Sequence, residues 1–172
     1  MNKALWALAV VVVLMIAGSG YMLWPKEPMG LQAPELETEI SPTIERSSLA
    51  RIELGKNLYA ENCASCHGAN LEGQTPEWRK PDADGVFPAP PHDETGHTWH
   101  HDDQVLFDYT KLGGARMMAS SGVEDFNSGM PAFEETLSDG EIWAVLDFIK
   151  STWPAHIQDQ QRQRTETSKQ GS

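Results

Sequence analysis

The chain begins with an apolar run, and helical periods and turn-rich polar stretches alternate after it. From Ala4 to Trp24 no residue is charged, and the centre reads Val10-Val11-Val12-Val13-Leu14-Met15-Ile16. Twenty-one residues at a helical rise cover about 30 Å, the thickness of a bilayer's hydrocarbon core. Lys3 and Lys26 flank the run, and Trp6, Tyr21 and Trp24 sit near its ends, where an interfacial aromatic belt is expected. The pattern predicts a transmembrane helix within residues 1–24. Ala17-Gly18-Ser19 also forms a passable signal-peptide cleavage site, but the apolar run continues past it through Trp24, which favours an uncleaved anchor. Residues 25–46 read as a spacer, punctuated by Pro25, Pro28, Pro34 and Pro42 and charged by Glu35, Glu37 and Glu39. Such a segment is expected to be extended and weakly structured.

Residues 47–153 carry the periodicity of a folded domain. A first helix is predicted over 47–63, with Leu49, Ile52, Leu54, Leu58 and Tyr59 as its half-buried stripe. Gly55 inside it costs about 1 kcal/mol relative to alanine, which points to a close helix crossing. A middle helix begins near Asp102 or Asp103, carries Val105, Leu106, Phe107 and Tyr109, and stops at Gly113-Gly114. The last helix follows the capping box Ser138-Asp139-Gly140-Glu141 and continues through Ile142, Val145, Leu146 and Ile149 until Pro154 ends it. Residues 154–172 form a polar C-terminal tail, with Ile157 as its only large apolar residue, and read as a frayed helix or disorder. There is almost no strand signal, so the expected fold class is all-α.

Charge narrows the partners. With Lys3 set aside, 12 Lys and Arg face 25 Asp and Glu over residues 25–172, a net charge of −13. Nucleic acid does not suit that surface, whereas a basic docking face on a partner protein does.

The chemistry is concentrated in Cys63-Ala64-Ser65-Cys66-His67, a C-x-x-C-H pattern that holds both cysteines of the chain. This is the pattern for covalent attachment of c-type haem. Two thiols at this spacing become thioethers on one edge of the porphyrin, and the following imidazole coordinates the iron. A zinc site would need a second Cys/His pair, and a thioredoxin-like pair would need a βαβ context; neither is visible. One motif and no internal repeat predict one haem c.

Taken in order, these pieces resemble a class I cytochrome c domain, the bacterial membrane-anchored mono-haem kind. The residues that carry the resemblance are Gly55 and Tyr59, the Cys63–Gly68 segment, Met130-Pro131, and the capped helix from Ser138 with its aromatics. The resemblance covers roughly 47–153. It implies an all-α fold around one haem, with the first and last helices crossing near Gly55. It also places the distal iron ligand at Met130, in the turn-rich loop Asn127-Ser128-Gly129-Met130-Pro131, which Pro131 stiffens and where Gly129 lets the backbone approach the ring. Met117 and Met118 are the rival thioethers, and a histidine is the remaining alternative. The family's proline carbonyl that orients the proximal histidine falls in Phe87-Pro88-Ala89-Pro90-Pro91, at Pro90 or Pro91. Trp78, Arg79, Lys80 and Trp99 are candidates to bond the haem propionates.

Four of the six histidines, His92, His97, His100 and His101, fall within ten residues among acidic neighbours. They read either as a copper or zinc site or as a polar loop whose Asp102 caps the middle helix. The expectation is a single-haem electron carrier on the outer face of a bacterial inner membrane, with the haem domain in the periplasm. Its donor and acceptor would be membrane or periplasmic redox proteins. It would not be an enzyme, because no substrate bond is made or broken. The competing expectations are a haem protein with an open distal site, peroxidase-like or gas-binding, and a metal-handling accessory using the His92–His101 loop.

Overall fold

The computed structural model describes residues 42–171. The apolar run 4–24 and the spacer as far as residue 41 lie outside them. No helix among the described residues is long and apolar enough to cross a membrane. The elements are α1 (Pro42–Asn62), α2 (Ala64–His67), a 3-10 turn (Thr98–His100), α3 (Asp103–Leu112), α4 (Gly114–Ser120), α5 (Asp139–Ser151) and α6 (Ala155–Gln170). No strand occurs among the described residues. A single parallel bridge joins Phe87 to Ser128.

α1 begins at Pro42, five residues before its expected start. Proline suits the first turn, where its missing N–H would be unpaired anyway. Residues 42–46 therefore belong to the helix and not to the spacer. The buried stripe of α1 is also narrower than predicted: Gly55 and Tyr59 are buried and Ile52 and Leu58 half-buried, while Leu49 and Leu54 face solvent.

α1 crosses α5 at Gly55. A Cβ built there would lie 1.9 Å from the Ala144 carbonyl oxygen, so only glycine permits this approach. Two apolar clusters share the buried face of α5. One joins Tyr59, Leu71, Val145, Ile149, Trp153 and Ile157, and the other joins Leu106, Phe107, Leu137, Ile142 and Leu146. The caps predicted for these helices are present. Asp102 Oδ1 accepts from the Val105 amide at 3.0 Å, and Ser138 and Glu141 exchange the two bonds of a capping box. α4 was not foreseen, because Gly113-Gly114 reads as a stop; the chain turns at Gly113 (φ 80°) and restarts a helix at once.

The tail departs most from expectation. Residues 155–170 form a packed helix, not a frayed end. Ile157, Gln161 and Thr165, four residues apart, are its buried face. Gln161 Nε2 donates to the His101 carbonyl (3.2 Å) and to Asp103 Oδ1 (2.8 Å), and Thr165 Oγ1 accepts from the Asp103 amide (3.1 Å). The seam is a polar network with one apolar member, so hydropathy gives little signal for it.

Candidate haem site

α1 ends at Asn62, and the attachment segment turns directly off it. The Cys66 and His67 amides both donate to the Cys63 carbonyl, at 3.1 and 2.9 Å, closing one helical turn. Gly68 then reverses the chain with φ 84°, and the Tyr59 hydroxyl donates to its carbonyl at 2.8 Å. Tyr59 is buried, and that burial raises its pKa well above the ordinary phenol range, so it remains a donor. Both thiols are free, with Cys63 half-buried and Cys66 exposed. Burial pushes the Cys63 thiol up to about 11 before haem is attached.

His67 is buried, and its Nδ1 lies 2.9 Å from the Pro90 carbonyl. A carbonyl can only accept, so the proton sits on Nδ1 and the lone pair on Nε2. Burial lowers the His67 pKa and keeps the ring neutral, the form that ligates a metal. Of the two candidate prolines, it is Pro90 that makes this bond. The chain folds tightly around its neighbour: a Cβ at Gly96 would lie 2.0 Å from the Pro91 oxygen, and one at Gly73 would lie 2.7 Å from the Pro91 nitrogen. Leu71 adopts φ 67° in the same region, and its carbonyl accepts the His92 amide at 2.8 Å.

Met130 is half-buried in a loop pinned by its backbone. Its N–H donates to Ser128 Oγ (3.2 Å), and its carbonyl accepts from the Gly114 amide (3.1 Å). The glycines that this loop requires are not the expected one. A Cβ at Gly129 would make an ordinary contact with Val86, whereas one at Gly113 would lie 2.7 Å from the Ala132 nitrogen and one at Gly114 2.0 Å from Ser128 Oγ. Gly113-Gly114 therefore ends a helix and also seats the Met130 loop. Met117 and Met118 lie half-buried on α4.

The four loop histidines do not converge. His92 stacks on His67, His97 on Trp78 and His100 against Trp99, and His101 meets His97 edge-on. Among the described residues no three His, Cys, Asp or Glu side chains are grouped to hold a metal ion. The propionate candidates are partly committed elsewhere. The Trp99 indole N–H donates to the Glu94 carbonyl (3.3 Å), and Lys80 pairs with Glu77. Arg79 lies over the Trp78 ring at 3.9 Å. Next to this stack, His97 Nδ1 is buried without a partner from the protein.

Two free thiols on one turn, a buried imidazole with only Nε2 unengaged, and an orphaned buried nitrogen nearby all suit a haem group. A family model, Cytochrome c, matches residues 52–153. The chain belongs to the cytochrome c family, consistent with a class I c-type cytochrome, and carries one haem c bound covalently through Cys63 and Cys66. No curated protein and no solved structure matches it. α6 lies beyond the matched residues.

Sequence reading missed the residues that hold the site from behind. Trp153 Nε1 donates to the His92 carbonyl at 2.7 Å, and buried Thr98 bonds the His92 ring at 2.8 Å. Trp153 lies at the end of the last predicted helix, just before Pro154, and its indole N–H, a donor that needs a partner when buried, was the one signal.

Proposed function

We propose that this protein is a mono-haem electron carrier whose iron, ligated by His67 and Met130, cycles between the ferrous and ferric states. The observation that carries the reading is the Pro90 carbonyl at His67 Nδ1, which leaves the Nε2 lone pair free to hold an iron. Bound haem would supply the one-electron couple; His67 would hold its iron through Nε2 and Met130 through its thioether, a ligand that raises the potential. The chain's part is to hold both ligands: α2 and Pro90 orient His67, while Gly113, Gly114 and Ser128 hold the loop of Met130. Replacing Met130 with Ala is expected to abolish the far-red sulfur-to-iron band of the ferric protein, lower the potential and admit carbon monoxide or cyanide. An unchanged spectrum and potential would refute the ligand.

The carrier is tethered, in this reading, by residues 4–24 to the outer face of a bacterial inner membrane, with its haem domain in the periplasm. The uninterrupted apolar length supports the anchor. Residues 25–41, at roughly 3.1 Å each when extended, would give a reach of roughly 50 Å. Amino-terminal sequencing of the mature protein tests this; a start near Gly20 would mean a cleaved leader.

The partner is a redox protein with a basic docking face. Phe87 is 40% exposed and stacks on Phe126, beside Ser128 in the Met130 loop. Asp82, Asp84, Glu124 and Asp125 flank this pair in the sequence, all exposed. An apolar centre with an acidic rim suits a partner that presents the opposite charge around an apolar patch.

A further inference from the structure

We propose that His92 is a positioning residue for His67: its imidazole, held by Thr98, fixes the plane of the proximal ring while Pro90 fixes its direction. The inference rests on the reading of His67 as an iron ligand.

A single hydrogen bond at Nδ1 is a hinge. It sets which way the His67 ring points but leaves the ring free to rock about that bond. The second constraint is His92, whose ring lies parallel to that of His67, with centroids 4.0 Å apart and planes 23° apart. At that separation one face of the proximal imidazole is covered and rocking is blocked by contact. Pro90-Pro91-His92 thus supplies both constraints from one tripeptide.

His92 is itself held on four sides. Its amide donates to the Leu71 carbonyl (2.8 Å), and its carbonyl accepts the Trp153 indole N–H (2.7 Å). Its Nδ1 and Thr98 Oγ1 are hydrogen-bonded at 2.8 Å, and Thr98 is buried. Tyr59 meets the ring edge-on, with centroids 6.3 Å apart. A plain aliphatic filler would not need the hydroxyl of Thr98.

The orientation of the imidazole plane determines how its π orbitals overlap the iron d orbitals. In the ferric protein it is read from the haem-methyl hyperfine shifts and the g values. The test uses the full-length, haem-loaded protein. His92→Ala is expected to change the order or spread of the methyl shifts and the largest g value, with the far-red band retained. His92→Phe, which keeps a flat ring but loses the bond to Thr98, is expected to shift the pattern less than His92→Ala does. An unchanged pattern in His92→Ala, or a Phe variant altered as much as the Ala variant, would overturn the proposal. If His92→Ala does not load haem, Thr98→Val keeps the shape and removes the ring's hydrogen bond; a pattern it leaves unmoved would overturn the proposal as well. A wild-type ferric spectrum without a low-spin histidine signature would instead refute the ligand reading on which the proposal rests.

Discussion

Replacing Gly55 with Ala adds one methyl group where α1 crosses α5. The added Cβ would lie 1.9 Å from the Ala144 carbonyl oxygen, 2.5 Å from its carbon and 3.0 Å from Phe148 Cβ. Two of these three neighbours are backbone atoms of α5, which no rotamer change can move aside. α1 and α5 would have to part by at least about 1 Å, a gap that forfeits a quarter to a half of each dispersion contact across it. Overpacking of this kind costs about 1–3 kcal/mol, and a backbone-to-backbone clash belongs at the upper end. Alanine returns about 1 kcal/mol through its higher helix propensity. The expected net loss is about 2 kcal/mol, and guanidinium unfolding of the haem-loaded protein, with a slope of a few kcal/mol per molar, should show its midpoint fall by roughly 0.5 M. Gly140 is the control. It sits in the first turn of α5 with nothing within 4 Å of a built Cβ, so Gly140→Ala should leave stability unchanged or raise it. A Gly55→Ala protein as stable as wild type would refute the reasoning, because the crossing would then be loose enough to admit a side chain.

Two other expectations test parts that the sequence left open. Gln161→Ala should cost about 1–3 kcal/mol, because it strips a buried donor from the His101 carbonyl and from Asp103; a loss below about 0.5 kcal/mol in the same denaturation experiment would mean that α6 is only loosely seated. The bimolecular electron-transfer rate with a basic redox protein should fall as salt rises from about 10 to about 200 mM, where the Debye length shrinks from about 30 Å to below 8 Å; a flat or rising rate would leave the Phe87–Phe126 patch without a role for its acidic rim.

The sequence by itself determined the cofactor, the fold class and the three helices whose signals are local. The Cys63–His67 spacing is a covalent constraint that needs no tertiary context, and the Asp102 and Ser138 caps are satisfied within four residues. Gly55 was legible as a crossing because a glycine inside a helix has a cost that something must offset. Tertiary structure alone decided the rest, and in each case the deciding contact spans a long sequence separation. Leu49 and Leu54 look like core residues by period yet face solvent, because α5 covers only the Gly55–Tyr59 side of α1. The packing of the final helix gave little hydropathy signal, because beyond Ile157 its buried face is Gln161 and Thr165, whose partners at His101 and Asp103 lie about 60 residues away. His92 read as one of four histidines in a polar loop; it lies against His67 because Leu71, Thr98 and Trp153 hold it there. A residue type states which bonds it can make, and only the folded chain brings the partner that makes them.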